Sequence, residues 1–584
     1  MTQKELVFRI GGAAGDGSAS TAESFAKICT RSGLYAFTYT SYQSVIRGGH
    51  SWVQVRASDE PVLSQGESPQ VVVALNQATA DIHASQVRER GAVIYDSEAV
   101  KLDGIRLAEG VRSIGFPLAR IAREYGNNAL MKNTVALGAA VRLFDMDMRH
   151  VESAFRTIWG DKKEEVVQAN VKAAIAGHKY VDEHGGSLGL GLRYTDHARL
   201  LLTGNHAICL GALAAGCKFL AQYPMTPASS IMHWMADHAP QYGVVVKQVE
   251  DELAAINMAI GAGFAGVRAM TATSGGGFSL MVEGLGQGGM VEAPVVAVLV
   301  SRTGPSTGLP TKTEQGDLNL ALGAGQGDWP RAILAPRNTD ECFHLTAEAF
   351  NLAEVYQTPV ILMSDLYLSE GYRTVDGFDF NVPIIRGLLA QDGGEAEGAY
   401  LRYKITESGV SPRALPGQKG FEFIAGSDEH DEKGELISDV FAGIPEYVEV
   451  RKRMMEKRMR KLDGLRRDTK GPELWGPRDA DLTLISWGST QGPLREAVRN
   501  VQETDGIAVN SLEFSHLFPF HADETKTAWA GAKRTLAIEG NFTGQFTRLL
   551  AAETGLRPDH FLGKYDGEPF APSEIEAKIR EVLA

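Results

Sequence analysis

The sequence predicts an α/β protein made of three α/β units, each with a mainly parallel sheet. Short apolar runs of strand length recur along the 584 residues, and helical stretches separate them. Strands that alternate with helices favour parallel pairing. Polar, glycine-rich sequence, clearest at 182–191, separates the first series of strands from the second. We therefore predict a first unit at 1–181, a linker at 182–198, a second unit at 199–385, an irregular connecting segment at 386–480 and a third unit at 481–584.

The first unit begins with a predicted strand at Leu6–Ile10 and a glycine-rich turn at Gly11–Gly17. A helix is expected to follow through Ser24–Arg31. The short apolar runs Val71–Leu75 and Ala92–Tyr95 predict two further buried strands.

The glycine-rich turn stands where a dinucleotide-binding fingerprint would lie. A GxGxxG pattern that starts at Gly15 needs a third glycine at position 20, and that residue is Ser20. We therefore favour a tight turn that packs helix against strand over nicotinamide binding. An anion at this helix N-terminus stays open as an alternative.

The second and third units show the same pattern of buried strands. Predicted strands of the second unit include Val244–Val246, Ala293–Val300 and Pro359–Met363. The third unit opens with a strand at Asp481–Trp487, and Gly488 is expected to open a helix directly after it.

The charge balance argues against a nucleic-acid-binding protein. The formal net charge is −14, whereas phosphate recognition depends on clustered Lys and Arg. One basic run, Arg451–Lys461, is an exception, but its spacing favours a solvated helix over a binding patch.

The cysteines exclude several kinds of site. The chain has four, Cys29, Cys209, Cys217 and Cys342, and none belongs to a CxxC pair. Neither an iron–sulfur cluster nor a structural zinc site is therefore expected in this chain. The absence of a signal peptide and of a long apolar segment leads us to expect a soluble, cytoplasmic protein.

A stiff loop is predicted at Gln222–Ser230. Pro224 and Pro227 fix their own φ angles, and Pro227 also restricts Thr226 to an extended conformation. A hydroxyl group is thus held just before a helix, whose first amide groups favour an anion. A simple cap between loop and helix explains the same pattern equally well.

An acidic stretch opens the next helix. Acids in a first turn suit the helix dipole, which is sufficient to explain Glu250 and Asp251. Glu252 stands nearest to the Ala- and Gly-rich body of the helix. A carboxyl group there would be partly removed from water and suited to exchange a proton with a bound ring.

Two further stretches carry candidate binding residues. The run Thr271–Gly277 predicts a loop at a strand end, where glycines let a ligand approach the backbone. Arg302 directly follows a buried strand, and ligands of open α/β sheets bind at the carboxyl ends of strands. Its guanidinium group can bind a carboxylate through two hydrogen bonds. A surface salt bridge is the plainer interpretation of such an arginine.

Together these stretches resemble the 2-oxoacid:ferredoxin oxidoreductases. Tyr223–Pro227 is similar to the family's Tyr-Pro-Ile-Thr-Pro loop, with Met225 in place of isoleucine. Arg302–Gly308 resembles the arginine loop of the alpha subunits, and Ser41–His50 resembles part of the gamma domain. The order gamma-then-alpha is most like 2-oxoglutarate:ferredoxin oxidoreductase. The three units would then be a gamma domain, a thiamine-diphosphate pyrimidine-binding domain and a transketolase C-terminal-like domain.

The resemblance implies a role for each matching residue. Glu252 would contact the pyrimidine ring of thiamine diphosphate and act as the catalytic residue. Thr226, Arg302 and Thr311 would bind the substrate. Arg47 and His50 are weaker candidates for that role, and a structural role is equally open for both. Cofactor contacts would come from Glu252 with Pro224, Ser274 and Gly275. No metal ligand is expected in this chain.

Where the sequence departs from the family pattern, a partner is implied. In the family's magnesium motif, GDG is followed closely by Asn-Asn. Here the only Asn-Asn, Asn127-Asn128, lies more than a hundred residues after Gly15-Asp16-Gly17, so the motif is absent. Mg²⁺, the diphosphate and a [4Fe-4S] cluster would therefore lie on a beta subunit. Coenzyme A would be the cosubstrate and ferredoxin the electron acceptor. The resemblance also implies a dimer of alpha–beta heterodimers. The implied reaction converts 2-oxoglutarate to succinyl-CoA and CO₂, and reversal stays open. Pyruvate, branched-chain or aryl 2-oxoacids as substrates, or a non-catalytic scaffold role, are the alternatives.

Overall fold

The computed structural model describes residues 4–44, 48–126, 128–159, 164–390, 400–437 and 444–584. The chain divides into two compact units. The first comprises Met1–Thr203, Glu370–Gly377 and Ala571–Ser573, and the second comprises Gly204–Ser369, Phe378–Phe570 and Glu574–Ala584. The limits of the three predicted domains stay a prediction beside this division.

The elements of the described residues up to 203 are, in chain order, β1 (Glu5–Ala14), α1 (Ser18–Arg31), β2 (Tyr35–Ser41), β3 (Gly48–Ser58), β4 (Val71–Ala74), α2 (Gln77–His83), β5 (Ala92–Asp96), β6 (Arg112–Phe116), α3 (Leu118–Arg123), α4 (Met131–Leu143), α5 (Met148–Trp159), α6 (Glu164–Glu183) and β7 (Leu200–Leu202). From 204 to 375 follow α7 (Gly204–Ala214), β8 (Phe219–Gln222), α8 (Ser229–Tyr242), β9 (Val245–Gln248), α9 (Glu252–Phe264), β10 (Ala269–Thr273), α10 (Gly275–Met290), β11 (Val295–Ser301), α11 (Leu318–Gly323), β12 (Ala332–Leu334), α12 (Thr339–Tyr356), β13 (Pro359–Asp365), α13 (Leu366–Glu370) and β14 (Arg373–Val375). The remainder contains α14 (Pro445–Met459), α15 (Lys461–Asp468), β15 (Glu473–Trp475), β16 (Leu482–Trp487), α16 (Gln491–Asp505), β17 (Val509–Phe514), β18 (His516–Phe518), α17 (Ala522–Trp529), β19 (Thr535–Glu539), α18 (Gln545–Thr554), β20 (His560–Gly563) and α19 (Pro572–Leu583).

The first unit is built on an eight-stranded sheet of order β6-β5-β4-β1-β3-β2-β14-β7. Strands β1, β4, β5 and β6 pair in parallel, and the other half of the sheet is antiparallel. The predicted strands at Leu6–Ile10, Val71–Leu75 and Ala92–Tyr95 are confirmed. The first extends further, to Ala14, and the ends of the other two differ by one residue. Their apolar side chains form a buried core against the surrounding helices.

The glycine-rich turn is shorter than predicted. Gly11 and Gly12 continue β1 and pair with Trp52 and Ser51 of β3. A Cβ atom on Gly11 would lie 2.7 Å from the side chain of Thr79, so close packing explains this glycine. The chain reverses only at 15–17, where Gly15 and Gly17 have positive φ angles, and α1 starts directly after the reversal.

The second unit contains the sheet that positions the candidate site. Its order is β18-β12-β13-β11-β10-β8-β9, and all neighbours from β12 to β9 are parallel. The strands predicted at Val244–Val246, Ala293–Val300 and Pro359–Met363 are present with small shifts of their ends. Parallel strands bring their carboxyl ends to one edge, which is where ligands of open α/β sheets bind.

A five-stranded sheet of order β15-β17-β16-β19-β20 completes the second unit. The strand predicted at Asp481–Trp487 is its central strand β16, and a 3₁₀ turn at Gly488–Thr490 leads into α16. Strand β18 leaves this part of the chain and pairs antiparallel with β12, so that Ile333 lies opposite Phe518. The chain therefore crosses from the five-stranded sheet, at the end of β17, to the edge of the seven-stranded sheet at β18.

The basic run at Arg451–Lys461 is helical, as predicted, but the prediction of a solvated helix holds only for its exposed start at Arg451–Arg453 and is wrong for the rest of its basic face. Lys457 and Lys461 are 0% exposed and both bind the buried carboxylate of Glu292, at 2.5 and 2.8 Å. Arg458 is buried as well and binds Glu429. The opposite charge lies far away in the chain, which is why the local pattern did not indicate burial.

The four cysteines are buried and none forms a disulfide bond, and burial raises the pKa of each of the thiols of Cys29, Cys209 and Cys217. Buried thiols of this kind are unreactive. Within the described ranges, no group of three or more His, Cys, Asp or Glu side chains could hold a metal ion. Among the same residues, no helix has the length and hydropathy that crossing a membrane requires.

Candidate active site

The candidate site lies at the carboxyl edge of the seven-stranded sheet, where three predicted stretches meet. Strand β8 ends at Gln222 and leads into the proline-containing loop, β10 ends at Thr273, and β11 ends immediately before Arg302. The three strands are neighbours in the sheet, in the order β11-β10-β8. Their parallel register therefore places the residues that follow them along one edge.

Glu252 is the first residue of α9 and is only 2% exposed. The side chain of Asp251 caps the helix by accepting a hydrogen bond from the amide of Ala254 at 2.8 Å, so its structural interpretation is confirmed. Oε1 of Glu252 is buried and accepts no hydrogen bond from any residue that the structure describes. A buried carboxylate oxygen without a donor is costly, which indicates a partner outside this chain.

Gly277 makes room for the Glu252 carboxyl group. A Cβ atom at Gly277 would lie 2.8 Å from Cδ of Glu252, and nearer still to its Oε1 and to Oγ1 of Thr273. Real Cβ atoms essentially never approach a neighbour below 3.0 Å. A glycine is therefore required in the first turn of α10 for as long as the Glu252 carboxyl group occupies this position.

The stretch Thr271–Gly277 does not form the predicted loop. Strand β10 runs to Thr273, Ser274 is the N-cap residue, and α10 begins at Gly275. Strand and helix are joined so tightly because the three glycines of the first turn allow close approach. Oγ of Ser274 is buried and has no hydrogen-bond partner among the described residues, so this hydroxyl group can bind a ligand.

Arg302 and Thr226 are brought together by the fold. Nη1 of Arg302 donates a hydrogen bond to the Thr226 carbonyl oxygen at 2.8 Å. Arg302 is half-buried, forms no ion pair with any residue that the structure describes, and has its pKa lowered by burial. The hydroxyl group of Thr226 likewise makes no hydrogen bond within the described ranges. The Asp317 carboxyl group acts on Arg302 electrostatically but forms no ion pair with it, so the donors of Arg302 and the Thr226 hydroxyl group are suited to bind a carboxylate.

Thr311 and Pro224 lie in the loops that flank this pair. Thr311 is buried in the loop after β11, next to Lys312, whose carbonyl accepts a hydrogen bond from the amide of Thr303. Pro224 is half-buried in the loop after β8. Both residues therefore belong to loops that start at the carboxyl edge, while their predicted ligand contacts stay a prediction.

Asp317 is a site residue that the sequence reasoning missed. Its two carboxylate oxygens lie 2.6 and 2.8 Å from the position that a Cβ atom of Gly275 would take, so they face the first turn of α10. Burial raises the pKa of Asp317, and Oδ2 has no hydrogen-bond partner in the described part of the chain. Glycine at 275 was the one signal in the sequence, but it does not identify the neighbour that needs the space.

The loop that carries Asp317 is anchored by Gln315. This buried side chain donates to the Trp487 carbonyl at 2.9 Å and accepts from the Gly540 amide at 2.8 Å. The backbone N–H of Gln315 donates to the Gly540 carbonyl at 2.6 Å. The five-stranded sheet therefore supports the loop that follows Arg302.

Two candidate residues, Arg47 and His50, belong to the first unit. Arg47 lies outside the described residues. Nε2 of His50 is 2.9 Å from Nε2 of His83, and burial lowers the pKa of both imidazoles, that of His83 to about 4. His50 is thus part of a neutral, packed pair, and its role in binding stays a prediction.

Comparison with known proteins gives consistent matches along the chain. The family described as "Pyruvate flavodoxin/ferredoxin oxidoreductase, thiamine diP-bdg" matches residues 210–448, and the family described as "Pyruvate ferredoxin/flavodoxin oxidoreductase" matches residues 7–180. The 2-oxoacid:ferredoxin oxidoreductase subunit alpha of Saccharolobus solfataricus is 31% identical over 99% of this chain and 98% of the relative. The 2-oxoglutarate oxidoreductase subunit KorA of Mycobacterium tuberculosis is 32% identical over 100% of this chain and 92% of the relative.

A solved structure has the same fold along the whole chain. It is the 2-oxoglutarate:ferredoxin oxidoreductase from Magnetococcus marinus with 2-oxoglutarate, coenzyme A and succinyl-CoA bound. The two chains are 33% identical, each is covered over 100% of its length, and the TM-score is 0.91. The predicted α/β fold with mostly parallel sheets is confirmed by this match and by the family matches. The sheet of the first unit departs from the prediction, since its antiparallel pairings outnumber its parallel ones.

Proposed function

Because this chain belongs to the alpha subunits of the 2-oxoacid:ferredoxin oxidoreductase family, we propose that it binds 2-oxoglutarate and the pyrimidine end of thiamine diphosphate. The proposed reaction is the oxidative decarboxylation of 2-oxoglutarate to succinyl-CoA and CO₂ with coenzyme A, with the electrons passing to ferredoxin. The same residues would serve the reverse reaction. The single observation that carries the proposal is the buried Glu252 carboxylate with an oxygen that lacks a partner within the described residues.

The residues fit the proposed cofactor at its pyrimidine end. Glu252 presents a buried acceptor, Gly277 leaves the space that its carboxyl group needs, and Ser274 adds a hydroxyl group at the same helix end. Bound thiamine diphosphate would supply the carbon nucleophile for the 2-oxoacid carbonyl and the electron sink for decarboxylation. Glu252 would hold a proton between its Oε1 and a ring nitrogen, and the buried surroundings would exclude water from that proton.

Arg302 and Thr226 would bind the carboxylate next to the reacting carbonyl. The guanidinium group keeps donors available beyond the bond to the Thr226 carbonyl, and the Thr226 hydroxyl group can add another hydrogen bond. Thr311 would contribute a further hydroxyl group from the same loop as Arg302. Arg47 lies outside the described residues and stays a predicted substrate-binding residue. Support for 2-oxoglutarate as the substrate comes from similar proteins whose names contain it, among them the Mycobacterium tuberculosis and Magnetococcus marinus proteins.

A beta subunit is proposed to cover the face of α9 and α10 that begins at Glu252. Leu253, Met258 and Leu280 are 48%, 38% and 47% exposed on these two helices, which pack closely where Ile256 meets Gly284. Exposed apolar side chains beside a buried, unpaired carboxylate favour a protein partner. This partner would carry the diphosphate, Mg²⁺ and the [4Fe-4S] cluster, in a cytoplasmic dimer of alpha–beta heterodimers. The region 481–584 would help to assemble it.

The test is to isolate the chain with its natural partner, identify the bound cofactors and measure ferredoxin reduction with a panel of 2-oxoacids. We expect thiamine diphosphate only when both chains are present, and the highest kcat/KM with 2-oxoglutarate. A preference for pyruvate or for a branched-chain or aryl 2-oxoacid would refute the substrate assignment. A complex without 2-oxoacid-dependent ferredoxin reduction would indicate a scaffold role.

A further inference from the structure

The loop between β8 and α8 is held through three consecutive carbonyl groups. Each carbonyl accepts a hydrogen bond from a side chain of a different part of the second unit, so that the loop is braced along its length. The bonds are Arg302 Nη1 to Thr226 O at 2.8 Å, Asn205 Nδ2 to Pro227 O at 2.9 Å and Gln222 Nε2 to Ala228 O at 2.9 Å.

Asn205 forms the central bond of this brace. It lies at the start of α7, is fully buried, and also donates to Oγ of Ser230 in the first turn of α8 at 2.8 Å. A carbonyl oxygen can only accept, so the NH₂ group must face Pro227, which determines the orientation of the Asn205 amide. The same reasoning orients Gln222, which is also fully buried.

The brace determines where two substrate-binding groups lie. The Thr226 hydroxyl group belongs to the residue before the carbonyl that Asn205 holds. Arg302 is anchored to the Thr226 carbonyl by one nitrogen and keeps its other donors for a ligand. A shift of the loop would therefore move the hydroxyl group and release the anchor of the guanidinium group at the same time.

We propose that Asn205 is a positioning residue for 2-oxoacid binding, an inference that rests on the proposed function. By holding the Pro227 carbonyl, it keeps the Thr226 hydroxyl group and the Arg302 guanidinium group at the spacing that receives the carboxylate of the substrate. Gln222 acts in the same way on the next carbonyl. Neither side chain needs to touch the substrate.

Asn510 of β17 offers a matched control in the same chain. Its Nδ2 donates to the Pro477 carbonyl at 2.8 Å, and its side chain is buried. The Oδ1 atoms of Asn510 and Asn205 both lack a hydrogen-bond partner among the described residues. Replacement by alanine removes a bond to a proline carbonyl at both positions, and at position 205 also the bond to Ser230. Only Asn205 braces the loop.

The experiment compares Asn205→Ala and Asn510→Ala in the complex with the natural partner, by melting temperature and by KM for the 2-oxoacid and for coenzyme A. We expect both variants to lose melting temperature, Asn205→Ala the more because it loses two hydrogen bonds. Asn205→Ala should raise KM for the 2-oxoacid about tenfold, equivalent to about 1.4 kcal/mol, and leave KM for coenzyme A unchanged. Asn510→Ala should leave both KM values unchanged. A wild-type KM for the 2-oxoacid in Asn205→Ala would overturn the proposal.

Two further variants decide the matter should Asn205→Ala fail to fold. Asn205→Asp has the same size but replaces the donor, and Gln222→Glu does so at the neighbouring bond, so both should show the selective rise in KM. Wild-type KM values in either variant would overturn the proposal. Failure of the proposed function is distinguishable, because the wild-type complex itself would then show no 2-oxoacid-dependent ferredoxin reduction.

Discussion

Replacement of Gly277 by alanine tests whether the position of the Glu252 carboxyl group matters for the reaction. The added methyl group would stand 2.8 Å from Cδ of Glu252, and nearer still to its Oε1 and to Oγ1 of Thr273, whereas ordinary van der Waals contact begins at 3.4 Å. Both side chains must therefore move, the Glu252 carboxyl group by at least about 0.6 Å, and overpacking of this kind costs about 1–3 kcal/mol of stability. A misplacement of about 1 Å at a reacting group lowers rates about 100-fold.

Gly286→Ala is the matched control, because a Cβ atom at Gly286 of the same helix has no neighbour within 4 Å. It should stabilise the chain by about 0.4–1 kcal/mol, since alanine is the better helix former. The assays are ferredoxin reduction by the complex and thermal unfolding of each variant. We expect Gly277→Ala to lose about 100-fold in kcat/KM, and Gly286→Ala to keep the wild-type value. Wild-type activity in Gly277→Ala would refute the role of the Glu252 position.

Three further outcomes are expected. Arg302→Lys keeps the charge but loses the planar guanidinium group that can form two hydrogen bonds with a carboxylate. KM for the 2-oxoacid should rise about 10- to 150-fold, equivalent to about 1.5–3 kcal/mol. An unchanged KM would contradict a carboxylate contact. Glu292→Gln leaves the ammonium groups of Lys457 and Lys461 buried without their carboxylate. It should lower the free energy of unfolding, measured by denaturant titration, by about 3–5 kcal/mol. A loss below about 1 kcal/mol would contradict this prediction. Burial raises the pKa of Glu370 from 4.5 to about 7, so the folded chain binds the extra proton between these pH values and its stability should fall as pH rises through that window. Glu370→Gln should remove this slope in melting temperature, and a slope that persists would assign it to other groups.

The predictions from sequence succeeded where the information is local. Buried strands such as Val71–Leu75 and Pro359–Met363 are short apolar runs, and their positions follow from composition alone. Arg302 follows a strand directly, and parallel pairing then places it at the ligand-binding edge. Glu252 was singled out because it stands nearest to the Ala- and Gly-rich body of its helix and because the surrounding stretches resemble the family, and the structure finds its side chain buried.

The contacts that the sequence did not reveal depend on residues far apart in the chain. Glu292 neutralises Lys457 from 165 positions away, so a basic run looked solvated when its centre is buried. Asn205 braces Pro227 across 22 positions, and neither residue carries a local signal of the other. Asp317 was missed for the same reason, because its carboxylate is recognised only once Gly275 is seen against it.

The central claim is that the buried Glu252 carboxyl group exchanges a proton with a ring of the cofactor. The most direct measurement is the steady-state rate of ferredoxin reduction by Glu252→Gln in the complex with the natural partner, with cofactor content determined on the same sample. We expect kcat to fall about 100- to 10,000-fold, the range of general acid–base catalysis, while the complex remains assembled. A rate within about threefold of the wild type, from a complex that holds the same amount of cofactor, would contradict the claim, since proton transfer by the missing group is worth at least about 100-fold.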